Sequence, residues 1–381
     1  MKVDFLIIGG GYFGCSIAYH LAKTGAKTLL IEANELFSGA SGANFGDVQV
    51  QDCEPGTSME LTLAGIEGIR SFREELQMDF GYRDRGALTL ATTEFQMEAV
   101  KKRYAMKKSW GLDIKYLEGK EINAIEPNMA EGVPLAATYY MQGQLYPFFY
   151  MKALITRGKE AGLVVMEHSK AARLLMQGNT CTGAVLSSGE EIEAKDTILC
   201  AAGGTRELLL DIGWDAPVHN IKSEAMITEA IQPFLRTAMA SASFFADAHS
   251  PEHAAVALCA DQTIHGNIIL SETTKPAHLY DPIYEETLSV EHCEQLPKLA
   301  LELYPALKDV NVLRTWTTQS PSTPSRLPLF GPMEVPGLFL ACGFKSAAVM
   351  TRIVGQVTRD ILMGKQVRYD LSEFISQVKR I

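Results

Sequence analysis

Apolar residues form short dense runs at the two ends of this chain and alternating patterns through its middle, and the two textures predict two kinds of structure. Residues 3–8 are almost wholly apolar and end in three glycines, as a buried parallel strand does. Over 13–24 the apolar residues Ile17, Ala18, Leu21 and Ala22 recur at helical spacing until Gly25 stops the helix. Residues 27–32 form a second apolar strand, so the chain opens with a complete βαβ unit. A glycine- and serine-rich loop covers 38–49, followed by a helix over 59–76. Strands are predicted at 87–92 and 136–140 with a charged helical stretch between them, then a helix over 147–162. Residues 164–203 read as successive strands, turning at Gln177-Gly178-Asn179 and Ser188-Gly189 and closing on DTILCAAGG. Between 217 and 318 the short alternating segments AMITEA, AAVALCA and NIILSET, with one helix over 286–303, are antiparallel-sheet text. The last sixty residues return to the opening style, with strand LFLACG and a helix over 346–363.

One domain is therefore entered at the start, left, re-entered and closed at the end. The expected fold is α/β (α+β overall), with a Rossmann-like nucleotide domain from 1–85, 141–216 and 319–381. A mixed, largely antiparallel substrate domain would come from 86–140 and 217–318. No Pro/Ser linker separates the pieces, which favours close packing.

The 381 residues, 47% hydrophobic and 21% charged, suffice for two cores. A net charge of −10 excludes a large basic nucleic-acid footprint and disfavours anionic membranes. The first apolar run is too short for a signal peptide and no stretch reaches the length of a membrane span, so a cytoplasmic location is expected. Seven scattered cysteines without a CxxC pair read as reduced thiols with no catalytic role. His249 and His253 stand four apart, but Pro251 lies between them and no further ligands complete a set, so no metal is expected.

The chemistry begins at Gly9, Gly11 and Gly14, which satisfy GxGxxG between a strand and a helix. Gly9 makes the tight turn, Gly11 lets backbone approach a pyrophosphate, and Gly14 lets helix pack on strand. Glu32 ends the second strand, where a carboxylate can accept hydrogen bonds from both ribose hydroxyls of an adenosine and repels the extra phosphate of NADP. A plain NAD dehydrogenase would continue in βα units. This chain instead enters the small-residue loop 38–46, which suits a bulky flat group, with Ser41 and Asn44 offering polar contacts; the other reading is a flexible surface loop.

The chain resembles the D-amino-acid oxidase-like family of FAD enzymes, which includes glycine oxidase, sarcosine oxidase and the D-amino-acid dehydrogenases. The resemblance is carried by DFLIIGGGYFGCSIAYHLAKTGAKTLLIEA, the GASGAN loop, GQLYPFFYMKAL, DTILCAAGG, TPSRLPLFGP and LFLACGFKSAAVMTRIVGQVTRDIL. The GASGAN wording and the length also resemble the β subunits of heteromeric dehydrogenases acting on opines, proline or hydroxyproline, and hydrogen cyanide synthase. The resemblance implies FAD, non-covalent because loop 38–46 lacks histidine. Its contacts would be Gly9, Gly11, Phe13, Gly14, Glu32, Ala33, Ser41, Asn44, Phe45, Gly46, Ala171, Ala202, Gly203, Gly343, Phe344, Lys345 and Ser346. It implies hydride transfer from the carbon bearing the amine of an amino acid or N-substituted amino acid. Electrons would leave to partner subunits carrying iron–sulfur or flavin centres. Two rivals are a self-sufficient peroxide-forming oxidase and a non-enzymatic carrier.

One departure stands out. Where the family commonly carries a carboxylate-gripping arginine this chain has Ser320, and the usual Asp-Gly pair is Ser325-Arg326. A serine cannot make a bidentate charged clamp, so either another cation takes over or the substrate is not a simple amino acid. Lys345, placed where glycine oxidase-like members carry an arginine, is the expected replacement; Arg326 is a second cation, equally readable as half of a surface ion pair. Tyr146 is expected to face the substrate, and Trp316 and His265 lie on expected strands resembling a cavity lid.

Overall fold

The computed structural model describes residues 1–50, 53–243, 255–276 and 289–381. The chain divides into two compact units, one of Met1–Tyr82, Leu145–Asn220 and Ser320–Ile381, the other of Arg83–Gln144 and Ile221–Gln319.

The first unit is built on β1 (Lys2–Ile8), α1 (Tyr12–Ala22) and β2 (Thr28–Ile31). β1 pairs in parallel with β2 on one side and with strand Glu191–Leu199 on the other. Val164–Met166 extends the sheet beyond β2, and Leu338–Cys342 then Leu329–Pro332 extend it beyond Glu191–Leu199. The order of strands thus reverses beside β1, and the crevice of such a sheet opens at the carboxyl ends of its strands. Phe5 to Ile8 and all of β2 are buried, which their unbroken apolar character requires of a sheet covered on both faces. Each such side chain contributes about 1.5–3 kcal/mol on burial. α1 is buried almost all round, at Tyr12 and from Gly14 to Ala22, because it packs on β2 and on helices Pro147–Glu160 and Ala347–Leu362. Gly25, at φ +82°, turns the chain back toward β2.

The hairpin Ala171–Gln177 and Thr180–Leu186 turns at Gly178, and its second strand pairs antiparallel with Glu191–Leu199. Short elements not evident in the pattern include helix Gly204–Leu210, the antiparallel edge strand Leu329–Pro332, and a C-terminal helix Ser372–Ile375 with strand Lys379–Arg380. Each is short, and periodicity has little to act on over two to seven residues.

The second unit is a mixed, mainly antiparallel sheet. Strand Arg83–Ala91 pairs antiparallel with Ala136–Gln144 and parallel with Thr237–Ser241. The sheet continues through Ala255–Gln262, Asn267–Pro276, His219–Ala230 and Val312–Ser322. Helix Val290–Leu303 lays Leu296, Ala300 and Leu303 against Met226, Leu258, Ile268 and Leu270. The expected helix began at 286, of which 286–288 lie outside the described residues. Beneath the sheet Arg85 pairs with Asp261 at 2.7 Å, both almost fully buried, and donates to the carbonyls of Leu235 and Thr237. A buried ion pair needs such extra hydrogen bonds to offset its desolvation.

Candidate cofactor site

Three local facts shape the turn between β1 and α1. Gly9 sits at φ +113°, and a Cβ on it would lie 2.5 Å from the carbonyl oxygen of Cys200. A Cβ on Gly14 would fall 1.8 Å from the Gly9 oxygen, so helix and strand meet more closely than any side chain allows. One on Gly11 would meet Ser41 Oγ at 2.7 Å, leaving a shallow cradle between the turn and loop 38–46. The first-turn N–H groups of α1 have no carbonyl four residues back, and with the helix dipole they form an anion seat. One of them, that of Tyr12, donates to Ser41 Oγ at 3.0 Å.

Glu32 stands at the tip of β2. Its Oε2 accepts the Gly10 N–H at 2.6 Å and its Oε1 accepts the Asn34 N–H at 3.0 Å. A carboxylate has about four acceptor positions, so these bonds orient Glu32 while leaving capacity on both oxygens. The segment that walls it is joined to the same strand end: Ser169 N–H donates to the Glu32 carbonyl and His168 N–H to that of Asn34. Ala171 starts the next strand, buried, and Ala33 is exposed in the turn after Glu32.

Loop 38–46 is an ordered structure closed on Asn44. Asn44 Nδ2 donates to the carbonyls of Ala40 and Ser41, and its Oδ1 accepts the Gly46 N–H and the Tyr12 hydroxyl. All four positions of the amide are thereby used. Asn44 thus shapes the loop, and Phe45 and Gly46 follow it. The reading of 38–46 as a flexible surface loop is set aside by the same bonds. Tyr12, the phenol that ties α1 to the loop, was missed because it occupies a variable position of the glycine motif. Burial pushes its hydroxyl well above the ordinary phenol range, so it acts as a neutral donor.

The ends of the other strands come to the same edge. Phe13, in the first turn of α1, stacks on Phe344 with ring centroids 4.1 Å apart, which brings the turn Gly343–Ser346 beside the phosphate-binding turn. Backbone strain concentrates here. Six non-glycine residues among the described ones have left-handed φ, and four of them lie in these segments: Phe37 at 70°, Ala202 at 50°, Arg326 at 65° and Ser346 at 49°. Strained backbone of this kind persists where surrounding contacts over-determine it, and such places cluster at functional sites. Gly203 follows Ala202 and opens helix Gly204–Leu210. The thiols nearby, Cys15, Cys200 and Cys342, are held protonated by desolvation, Cys342 being pushed up to about 12. None of the seven cysteines is in a disulfide among the described residues.

The remaining expected residues fall in different places. Lys345 is half-buried in the Gly343–Ser346 turn. Arg326 is paired with Glu54, Nε to Oε1 3.2 Å, which favours the ion-pair reading of it. Tyr146 precedes helix Pro147–Glu160, donates its N–H to the Phe80 carbonyl and lies against Phe149 with ring centroids 4.5 Å apart. Trp316 and His265 belong to the second unit. Trp316 lies on strand Val312–Ser322 with the Arg314 guanidinium over its ring at 5.3 Å. His265 is not on a strand: it is exposed in the turn between Ala255–Gln262 and Asn267–Pro276, which Thr263 Oγ1 and Gly266 at φ +91° make tight. No group of metal-binding side chains occurs among the described residues, and His249 and His253 lie outside them. Among the described residues no helix is long and apolar enough to cross a membrane.

A glycine turn at a strand-order reversal, an anion seat and an acid at the second strand tip together define a dinucleotide-binding protein. A cradle that a Cβ would fill and acceptor capacity on Glu32 fit the pyrophosphate and ribose of FAD. The profile of the DAO family, FAD dependent oxidoreductases, matches residues 4–361, and the chain belongs to that family. It is an FAD-dependent oxidoreductase. It is 24% identical to a glycine oxidase of Bacillus licheniformis, over 98% of this chain and 96% of that one. One of the subunits of an opine oxidase from Rhizobium meliloti is 25% identical, over 98% of this chain and 96% of that one. The crystal structure of glycine oxidase from Geobacillus kaustophilus superposes with a TM-score of 0.86 at 23% identity, covering 98% of both chains, and shares the fold.

Proposed function

We propose that this enzyme oxidises the carbon–nitrogen bond of an amine or amino acid, with the first unit holding FAD non-covalently. The observation that carries the reading is the intact Gly9/Gly11/Gly14/Glu32 set at the strand reversal of a chain matched to the FAD-dependent oxidoreductases over 4–361. When bound, FAD supplies the hydride acceptor, so the protein's task is to bind, orient and keep water out. Loop 38–46 contains neither histidine nor cysteine, which supports a non-covalent flavin.

The preferred substrate class is an N-substituted amino acid of the opine, proline or hydroxyproline type, and the chain is the catalytic subunit of a dehydrogenase whose electrons pass to partner subunits. The likeness to one chain of an opine oxidase supports both points. Lys345 anchors the substrate carboxylate in place of the family arginine, on a turn whose course Gly343 at φ +74° and Ser346 at +49° determine. Tyr146 and Trp316 are the aromatic substrate contacts. Arg326, engaged by Glu54, and His265, exposed at a hairpin tip, support a substrate contact less well. Seven cysteines, none in a disulfide among the described residues, suit a reducing, cytoplasmic setting.

The test is an anaerobic visible spectrum of the purified protein titrated with opines, proline, hydroxyproline, sarcosine, glycine and D-amino acids. Bleaching of the flavin band by one of the N-substituted amino acids is expected; bleaching by none refutes the substrate class. A second reading, a self-sufficient oxidase, is favoured by the likeness to glycine oxidase over 98% of the chain. Admitting oxygen to the bleached enzyme separates the two, since an oxidase reoxidises at once and releases stoichiometric peroxide.

A further inference from the structure

The family match ends at residue 361, yet the following segment returns to the site. Its anchors are plain. Helix Ser372–Ile375 packs on strand Leu329–Pro332, with Ile375 Cγ1 2.9 Å from where a Cβ on Gly331 would stand, and Phe374 and Val378 are buried. Strand Lys379–Arg380 pairs with Trp214–Asp215, and the Ile381 N–H donates to the Gly213 carbonyl. Between these anchors Gln377 faces the turn 323–328. Its Nε2 donates to the Pro328 carbonyl at 3.1 Å and more weakly to that of Leu327 at 3.5 Å, and its Oε1 accepts the Ser325 hydroxyl.

The turn so held is strained and closed on itself. Thr323 Oγ1 donates to the Leu327 carbonyl at 2.6 Å, the Arg326 N–H to that of Thr323 at 3.0 Å, and Arg326 sits at φ 65°. On its other side Thr323 Cγ2 lies 3.3 Å from the place of a Cβ on Gly343. Gly343 opens the turn whose Phe344 stacks on Phe13. A chain of contacts therefore runs from Gln377 through the 323–328 turn to the phosphate-binding turn.

We propose that Gln377 is a positioning residue for the cofactor site, setting the Gly343–Ser346 turn through the 323–328 turn; this rests on the FAD site described above. An amide suits the place because it donates to carbonyls with one end and accepts from Ser325 with the other. Gln377→Met keeps the volume and loses every bond. Gln377→Glu keeps the acceptor for Ser325 and turns a carboxylate on the carbonyl oxygens of Leu327, Pro328 and Phe374.

FAD dissociation constants, from quenching of flavin fluorescence on apoprotein well below its Tm, supply the first readout. Amide hydrogen exchange at Arg326 and Leu327 in the apoprotein supplies the second. The loss of hydrogen bonds to the turn should weaken FAD about five- to tenfold in both variants and speed exchange at those amides. Lys379→Met, which breaks only the tail's own bond to the Ser376 carbonyl, should change neither. Should Gln377→Met fold poorly, Ser325→Ala removes the partner of Oε1 and should weaken FAD likewise, with exchange then read at Arg326 alone, because Ser325 Oγ also accepts the Leu327 N–H. FAD constants within twofold of the parent in Gln377→Met and Gln377→Glu, or unchanged exchange, would overturn the proposal. Failure of the cofactor reading would show separately, as an unsubstituted protein that does not bind FAD, and would take this inference with it.

Discussion

Replacing Glu32 by alanine separates two things the carboxylate does. In the fold it accepts the Gly10 N–H at 2.6 Å and the Asn34 N–H at 3.0 Å, so it braces the glycine turn whether or not FAD is present. Hydrogen bonds to a charged acceptor contribute about 1.5–3 kcal/mol each when buried, and Glu32 is half-exposed, so a destabilisation of about 1–2 kcal/mol is expected from the fold alone. With its remaining acceptor positions Glu32 would also take the ribose hydroxyls of the adenosine. Losing two such bonds at about 1.5 kcal/mol each corresponds to about a hundredfold in affinity. The assay is FAD fluorescence quenching on apoprotein, run beside a thermal melt of the same apoprotein. Glu32→Ala should lower Tm modestly and raise the FAD dissociation constant by one to two orders of magnitude, roughly as two bonds require. Glu32→Gln, which retains one acceptor, should fall between. A variant whose Tm drops while its FAD affinity stays at the parental value would show that Glu32 only braces the turn, and the ribose assignment would fall.

Three further predictions bear on the carboxylate anchor and on the helices behind the site. Lys345→Ala should raise the apparent KM for the bleaching substrate at least tenfold, as loss of a charge-assisted bond implies; if KM and kcat both stay intact, the anchor is elsewhere. His20 is buried with neither ring nitrogen bonded among the described residues, and burial pulls it down to about 3 from its ordinary 6.5. It stays neutral in the folded protein while the unfolded chain takes up a proton. Stability is therefore lost as pH falls from 6.5 toward 3, at up to about 1.4 kcal/mol per pH unit. His20→Leu should flatten that part of a Tm-versus-pH curve, and an unchanged slope would contradict the assignment. Glu75 works in a lower window. Burial opposes its charge, but hydrogen bonds from Lys23 and Arg352 outweigh this and hold the carboxyl at about 2. Its contribution is complete above 4.5 and disappears as pH falls toward 2, so Glu75→Gln should lower Tm near neutrality and little in strong acid.

The pattern of residues reached some parts of this protein and not others, and the division follows separation along the chain. β1, α1 and β2 were legible because a buried strand, a glycine turn and an all-apolar helix each declare themselves within a dozen residues. The hairpin at Gly178 and the helix behind Pro147 were legible for the same reason. His265 was misplaced by a few residues, since the stop of a strand depends on turn geometry more than on alternation. Asn44 shows a subtler gap. Its residue type marked it as polar, but which protein partners an amide takes depends on what comes within reach, and here these are the loop's own backbone and the Tyr12 hydroxyl.

By itself, the sequence determined the βαβ opening, the two textures of sheet, the dinucleotide fingerprint and its acid, because these follow from sterics and burial acting between near neighbours. Only the tertiary structure decided that Arg326 faces Glu54, that Cys200 meets Gly9, that Phe13 stacks on Phe344, and that Gln377 returns to hold the 323–328 turn. Those partners are far apart in the chain, and a polar side chain carries no mark of which distant carbonyl or carboxylate packing will bring to it. Short-range periodicity records which face is buried; the identity of the group across the interface is settled only when the elements dock.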